Sequence, residues 1–402
     1  MSYKPDKKLK WQMLLLLPTA ALLAAVCGIL VIIDLFAQRN VNLAVRTQRA
    51  SPAPRADRLA RASLQPWRRI WTCPAGAALT AAPAAWSNGW MATTKNGCVT
   101  ALDDQGRRLW QVSFTNVYFV GSPVVAGSNV VAAGSDGDVL AMDAASGKRR
   151  WQVKLDASFL HGPLVMRHGN TWQVAMLSAG SGELFVLELQ TGQLIWQSRP
   201  TNESDGQAGF DGQHLAYGNC DAAMHVFNST TGEKRAQIPV GAGVTNRESL
   251  SDAPSGVMAG GVLVRDGRIY GGTGGGELVC VDVAGSQTVW RARVSESEAF
   301  NTPVSYGQNV LMSTRQGDVL SFKARSGELR WQVSLRDVIK SLCVVDDAVF
   351  VVAGGSLVGL RATDGGVFVK AAIGDNVEGP SWNGRVLVVA DDGGNVIGFR
   401  GE

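Results

Sequence analysis

Residues 134–151 read Gly134-Ser-Asp-Gly-Asp-Val-Leu-Ala-Met-Asp-Ala-Ala-Ser-Gly-Lys-Arg-Arg-Trp151. A turn opens into an apolar strand, a second turn closes on Gly147, and a further strand carries a Trp. The same text returns at 181–196, 276–290 and 317–331, each time ending on Trp, and an earlier copy runs from Gly97 to Trp110. Degenerate copies put Ala236 and Val369 where the Trp stands. Self-similarity at a fixed period of this size is the mark of a repeat architecture.

Each unit reads as four short strands. Around residues 120–153 they are Ser122-Pro-Val-Val (A), Asn129-Val-Val-Ala-Ala (B), Asp138-Val-Leu-Ala-Met (C) and Arg149-Arg-Trp-Gln-Val (D). Their apolar content suits strands, and the Gly/Asp/Ser clusters between them are turn chemistry. The Trp positions fall at 71, 110, 151, 196, 236, 290, 331 and 369. After Val369 only strands A to C of one more unit follow, so Trp67-Arg-Arg-Ile-Trp71 is expected to supply the missing strand D. That pairing closes a ring and removes open sheet edges. The expectation is an all-β, eight-bladed β-propeller over residues 67–402, with four-stranded antiparallel blades and no helix of its own. The blade-closing residues would be Trp71, Trp110, Trp151, Trp196, Trp290 and Trp331.

The pattern Ala-x-Asp-x-x-x-Gly-x-x-x-Trp, complete at Ala141, Asp143, Gly147 and Trp151, resembles the tryptophan-docking repeat of the PQQ-like eight-bladed β-propellers. In physical terms the Gly permits the turn between strands C and D, and the Trp offers a flat apolar surface to the next blade. The resemblance implies one of two functions. One branch comprises quinoprotein dehydrogenases, which hold PQQ and Ca²⁺ over the axis. The other comprises non-catalytic scaffolds similar to BamB, which serve outer-membrane protein assembly. This chain lacks the vicinal Cys-Cys pair and the large insertions of the dehydrogenases, so the expectation is a scaffold with no cofactor and no reaction. A PQQ- or small-ligand-binding sensor or dehydrogenase is the alternative.

Two places carry candidate contacts. The longest interval, from Ala236 to Trp290, holds an insertion in the connection between units. Its Leu250-Ser-Asp252 matches part of a stretch by which the BamB-type scaffolds meet their barrel-forming partner. Arg247, Glu248, Leu250 and Asp252 are therefore candidate partner-binding residues, against the alternative of a solvated loop. Aligning the residue before each strand A gives Ala81, Gly121, His161, Asp205, Gly260, Asn301, Lys340 and Glu378. These are expected to ring one mouth of the central channel. His161, Asp205, Asn301, Lys340 and Glu378 are the polar members, either a ligand site or a hydrated funnel. Gly271–Gly276 and Asp391-Asp392-Gly-Gly read as hairpin turns rather than phosphate or Ca²⁺ loops. No catalytic triad spacing is present. A bridge between Cys73 and Cys98 is conceivable.

The composition agrees with a large core: 46% of the 402 residues are hydrophobic and 18% charged. The net charge of +4 is an average of two unlike parts. Residues 1–69 hold 12 Lys/Arg against 3 Asp/Glu, leaving 26 basic and 31 acidic residues in the remainder. A net-acidic body excludes a basic nucleic-acid-binding fold. Residues 13–33 form a 21-residue apolar run preceded by Lys4, Lys7, Lys8, Lys10 and Trp11. As a helix the run spans about 31 Å, the thickness of a bilayer core. The expected organisation is a cytoplasmic basic N-terminus (1–12), a transmembrane helix (13–33), an Ala/Arg/Pro-rich tether (34–66) and the propeller. Positive-inside logic would anchor it in a bacterial inner membrane with the propeller in the periplasm. A cleaved signal peptide and lipidation at Cys27 are the competing readings. The partners expected are envelope or membrane proteins.

Overall fold

Strand B of each unit is a continuous apolar run rather than an alternating one, and the computed structural model shows why. It describes residues 47–48, 67–86, 89–241, 258–295 and 301–401. Strands such as Asn129–Gly134 and Ala348–Ala353 are buried along their whole length, because a neighbouring sheet covers each face. The outer strand of a unit, such as Arg149–Lys154, alternates with solvent.

Eight sheets form, each an antiparallel meander of strands A to D from the axis outward. Blades 1 to 7 occupy 84–113, 119–154, 164–197, 209–239, 258–293, 304–334 and 339–372. Blade 8 takes strands A to C from 378–401 and strand D from Trp67–Pro74, with Trp67 opposite Gly401 and Cys73 opposite Val396. The ring is closed as its sequence predicts. One addition was not foreseen: Thr47–Gln48 runs parallel to Gln287–Arg293 as a fifth strand on blade 5. The predicted transmembrane helix and most of the tether lie outside the described residues. Among the described residues no helix is long and apolar enough to cross a membrane.

The Trp and the Gly of the repeat are two halves of one contact. The indole N–H of Trp71, Trp110, Trp151, Trp196, Trp290 and Trp331 donates to a carbonyl in the next blade's C–D turn, at 2.9–3.1 Å. The receiving turn places its Gly under the ring. Gly106, Gly147, Gly192, Gly232, Gly327 and Gly365 all have φ of +71° to +74°, and a Cβ on any of them would lie 2.4–2.7 Å from the indole. The Gly therefore supplies both the left-handed turn and the flat floor for the preceding blade.

Both departures from the pattern face an altered turn. Ala236 of blade 4 meets blade 5, where Gly285 comes one residue early and Ser286 takes the positive φ of 48°. A side chain sits where the indole would lie, and an Ala stands in for the Trp. Val369 of blade 7 faces blade 8, whose strands C and D come from the two ends of the propeller and share no turn. There Trp67 fills the gap, with ring centroids 4.5 Å from Phe350 and 5.7 Å from Trp382.

In all eight blades the register slips at the residue before the Trp position, at Arg150 in blade 2 for example. The bulge strengthens the local twist and aims the next side chain at the neighbouring blade. It also pushes Ile70, Leu109 and Ile195 into solvent at the rim. The five described cysteines are free, so the conceived Cys73–Cys98 bridge is corrected: the Cys98 thiol instead meets the Ser113 hydroxyl at 3.1 Å.

Candidate functional site: the axial funnel and its face

An antiparallel meander puts its A–B and C–D turns at one end of the disc. Its B–C turns and its D–A connections between blades lie at the other. The innermost strands converge on a funnel of about 670 Å³ at the D–A end. Its wall includes Ala81, Gly121, His161, Asp205, Gly260, Asn301, Lys340 and Glu378, one from each blade junction. Gln207 and Arg315 also line it. Arg315 comes from a B–C turn, which an alignment of strand A starts passes over.

Small residues let the blades meet here. A Cβ on Gly121 would lie 2.1 Å from the Gly162 nitrogen, and one on Gly206 2.1 Å from the Gly260 oxygen. The polar groups tie each blade to the next. Thr80 Oγ1 donates to the Gly121 carbonyl at 2.9 Å and Ser122 Oγ to the Ala82 carbonyl at 2.7 Å. His161 Nε2–H donates to the Asp205 carbonyl at 2.7 Å. Asn301, buried, donates to Ile339 O at 2.8 Å and Ser313 Oγ at 3.0 Å. Lys340 pairs with Glu378 and reaches Asn376 Oδ1 at 2.8 Å. Ser341 Oγ donates to the Gly379 carbonyl at 2.7 Å.

The funnel does not fit the Ca²⁺ that accompanies a quinone on this fold. The carboxylate of Glu378 is taken by Lys340, and no cluster of three or more metal-ligating side chains forms among the described residues. The same wall carries Arg315 and Lys340, whose positive charge disfavours a dication.

Three of the D–A connections carry an exposed large hydrophobic side chain. Tyr118, Leu160 and Val338 are 65%, 53% and 59% exposed, more than any other large hydrophobic among the described residues. Each lies between strand D of one blade and strand A of the next. The insertion holding Arg247, Glu248, Leu250 and Asp252 belongs to the same class of connection, between Lys234–Pro239 and Met258–Arg265. Those four residues lie outside the described ones.

A family model described as outer membrane protein assembly factor BamB matches residues 61–213, 96–316 and 221–397. The chain belongs to the BamB family. A BamB of Burkholderia pseudomallei is 27% identical over 221 residues, 52% of this chain and 54% of that one, so the chain spans about half the length of that curated relative. The crystal structure of BamB from Moraxella catarrhalis superposes with a TM-score of 0.70 at 20% identity, covering 83% of this chain and 99% of that one. The quinohemoprotein alcohol dehydrogenase of Comamonas testosteroni superposes with a TM-score of 0.63 at 13% identity, over 86% and 78%. At such identity the last two likenesses concern the fold alone.

Proposed function

We propose that the chain is a non-catalytic scaffold of the bacterial envelope that takes part in outer-membrane protein assembly. On this reading it docks envelope proteins through the D–A face of its propeller. The observation that carries the reading is that the three most exposed large hydrophobics among the described residues, Tyr118, Leu160 and Val338, all lie on D–A connections. All three belong to one face, and aromatic side chains such as Tyr are enriched at protein interfaces over the rest of a protein surface. Membership of the BamB family supports the assembly role and a non-enzymatic one. Arg247, Glu248, Leu250 and Asp252 extend the same face as the partner-binding loop. The apolar run 13–33 anchors the protein in the inner membrane, with the propeller in the periplasm.

Replacing Arg247, Glu248, Leu250 and Asp252 together by Ala in the full chain tests the loop. Recovery of envelope partners from solubilised membranes is expected to fall at least tenfold while the thermal unfolding midpoint stays unchanged. Undiminished recovery refutes the loop assignment.

A further inference from the structure

The turn face, opposite the funnel, carries a groove of about 930 Å³ between blades 5 and 6. Five cations line it, Arg265, Arg268, Lys323, Arg325 and Arg330, against one lining carboxylate, Asp266. This runs against the charge of the propeller, which is net acidic beyond residue 69. The cations come from the A–B turn of blade 5 and the C–D turn of blade 6, which the fold brings together. Arg265 Nη1 donates to the Gly307 carbonyl at 2.8 Å and Arg268 Nη1 to the Arg325 carbonyl at 3.1 Å, so two guanidinium groups are held in place by backbone. Asp266 is taken up by Arg265 and Glu328 by Lys323. Arg325 and Arg330 have no carboxylate within ion-pair distance among the described residues, and both are exposed. Arg330 is the bulged residue of its strand, turned outward by the register slip that places Trp331.

Chain direction gives this face a side. Strand Trp67–Pro74 starts opposite Gly401, at the end of strand C, so the chain enters the propeller at the turn face. Arg68 and Arg400 face each other there, with Arg69 beside them. Further back along the chain, Thr47–Gln48 lies on the outer edge of blade 5, the blade that forms one wall of the groove.

We infer that the turn face docks on an anionic bilayer, with the groove between blades 5 and 6 receiving lipid phosphate. Guanidinium groups suit phosphate oxygens, and each Lys or Arg brought to an anionic surface strengthens binding about fivefold. The D–A face and its exposed Tyr118, Leu160 and Val338 then point away from the bilayer, open to partners. The side from which the bilayer comes rests on the membrane reading of residues 13–33; the charge of the groove does not.

The test uses the full chain with vesicles of phosphatidylcholine, alone or mixed with phosphatidylglycerol. Flotation with neutral vesicles at high salt examines the anchor by itself, and its failure removes the anchor only. Amide hydrogen exchange at 265–268 and 323–330 examines the groove. It is expected to slow several-fold on anionic vesicles relative to neutral ones, to recover in high salt, and to recover in an Arg325→Gln/Arg330→Gln variant, whose docking constant falls about 25-fold. Should the anchor fail, salt-sensitive flotation with anionic vesicles, reduced by the same variant, supports the inference in its place. Equal exchange on both vesicle types overturns the inference, as does protection that the double variant leaves intact. Equal protection by inorganic phosphate on neutral vesicles assigns the groove to a soluble anion and overturns the bilayer.

Discussion

Replacing Gly147 by Ala isolates the contact on which the ring depends. The new Cβ would lie 2.6 Å from Cε3 of Trp110 and 2.8 Å from Cδ2, closer than any real Cβ contact, so the indole must move. The indole is held by its hydrogen bond to Ala144 O at 3.0 Å and by packing among Met91, Val130 and Met142. Displacing it costs about 1–3 kcal/mol of overpacking and about 1 kcal/mol of hydrogen bond. Gly127 provides the control, because its φ is +59° and a Cβ there meets nothing within 4 Å. Gly127→Ala carries only the backbone cost of about 1–2 kcal/mol, offset by about 0.4–1 kcal/mol through the unfolded chain. Gly147→Ala is therefore expected to destabilise by about 2–4 kcal/mol more than Gly127→Ala, read by urea unfolding with far-UV circular dichroism. In a Trp110→Ala background that excess should vanish. If the two Gly variants cost the same, or the excess survives without Trp110, the Gly does not serve as the indole's floor.

Two further outcomes follow from exceptions and burial. Ala236→Trp alone is expected to destabilise by about 1–3 kcal/mol, since Ser286 occupies the docking position, and adding Ser286→Gly should recover part of the loss in the same unfolding assay. His225 lies buried beneath Tyr217, with ring centroids 5.1 Å apart and neither nitrogen partnered among the described residues. Burial, helped by Lys234, pulls its pKa from 6.5 to about 4. The unfolded chain then binds the proton more readily, so stability is full above pH 6.5 and falls by about 3 kcal/mol as the pH drops to 4. His225→Phe should remove that slope from a pH series of unfolding midpoints.

The ring was legible because its determinants are local. Asp143, Gly147 and Trp151 sit within one turn and one strand, and the spacing repeats. The partner of each Trp lies 31 to 38 residues away in the next blade, so the sequence displays the two halves without showing that they touch. Once they are seen to touch, Ala236 and Val369 read as matched omissions instead of decay. The bulge before each Trp leaves no composition mark, since Arg150, Leu109, Phe368 and Val289 all occupy it. At the funnel, aligning strand starts finds residues that line one cavity. It does not find that His161 and Asn301 are spent on carbonyls 44 and 38 residues further on. The basic groove was hidden for the same reason, its cations lying in two blades with 55 residues from Arg268 to Lys323.

The scaffold reading is tested most directly by site-specific photo-crosslinking in intact cells. A photoreactive residue is placed at Tyr118, Leu160 or Val338 on the D–A face, or at Leu194 on the rim as control. The account predicts that the three face positions crosslink to outer-membrane assembly proteins and that Leu194 does not. Crosslinks confined to the rim, or none from the face in cells where the rim position reacts, would contradict it.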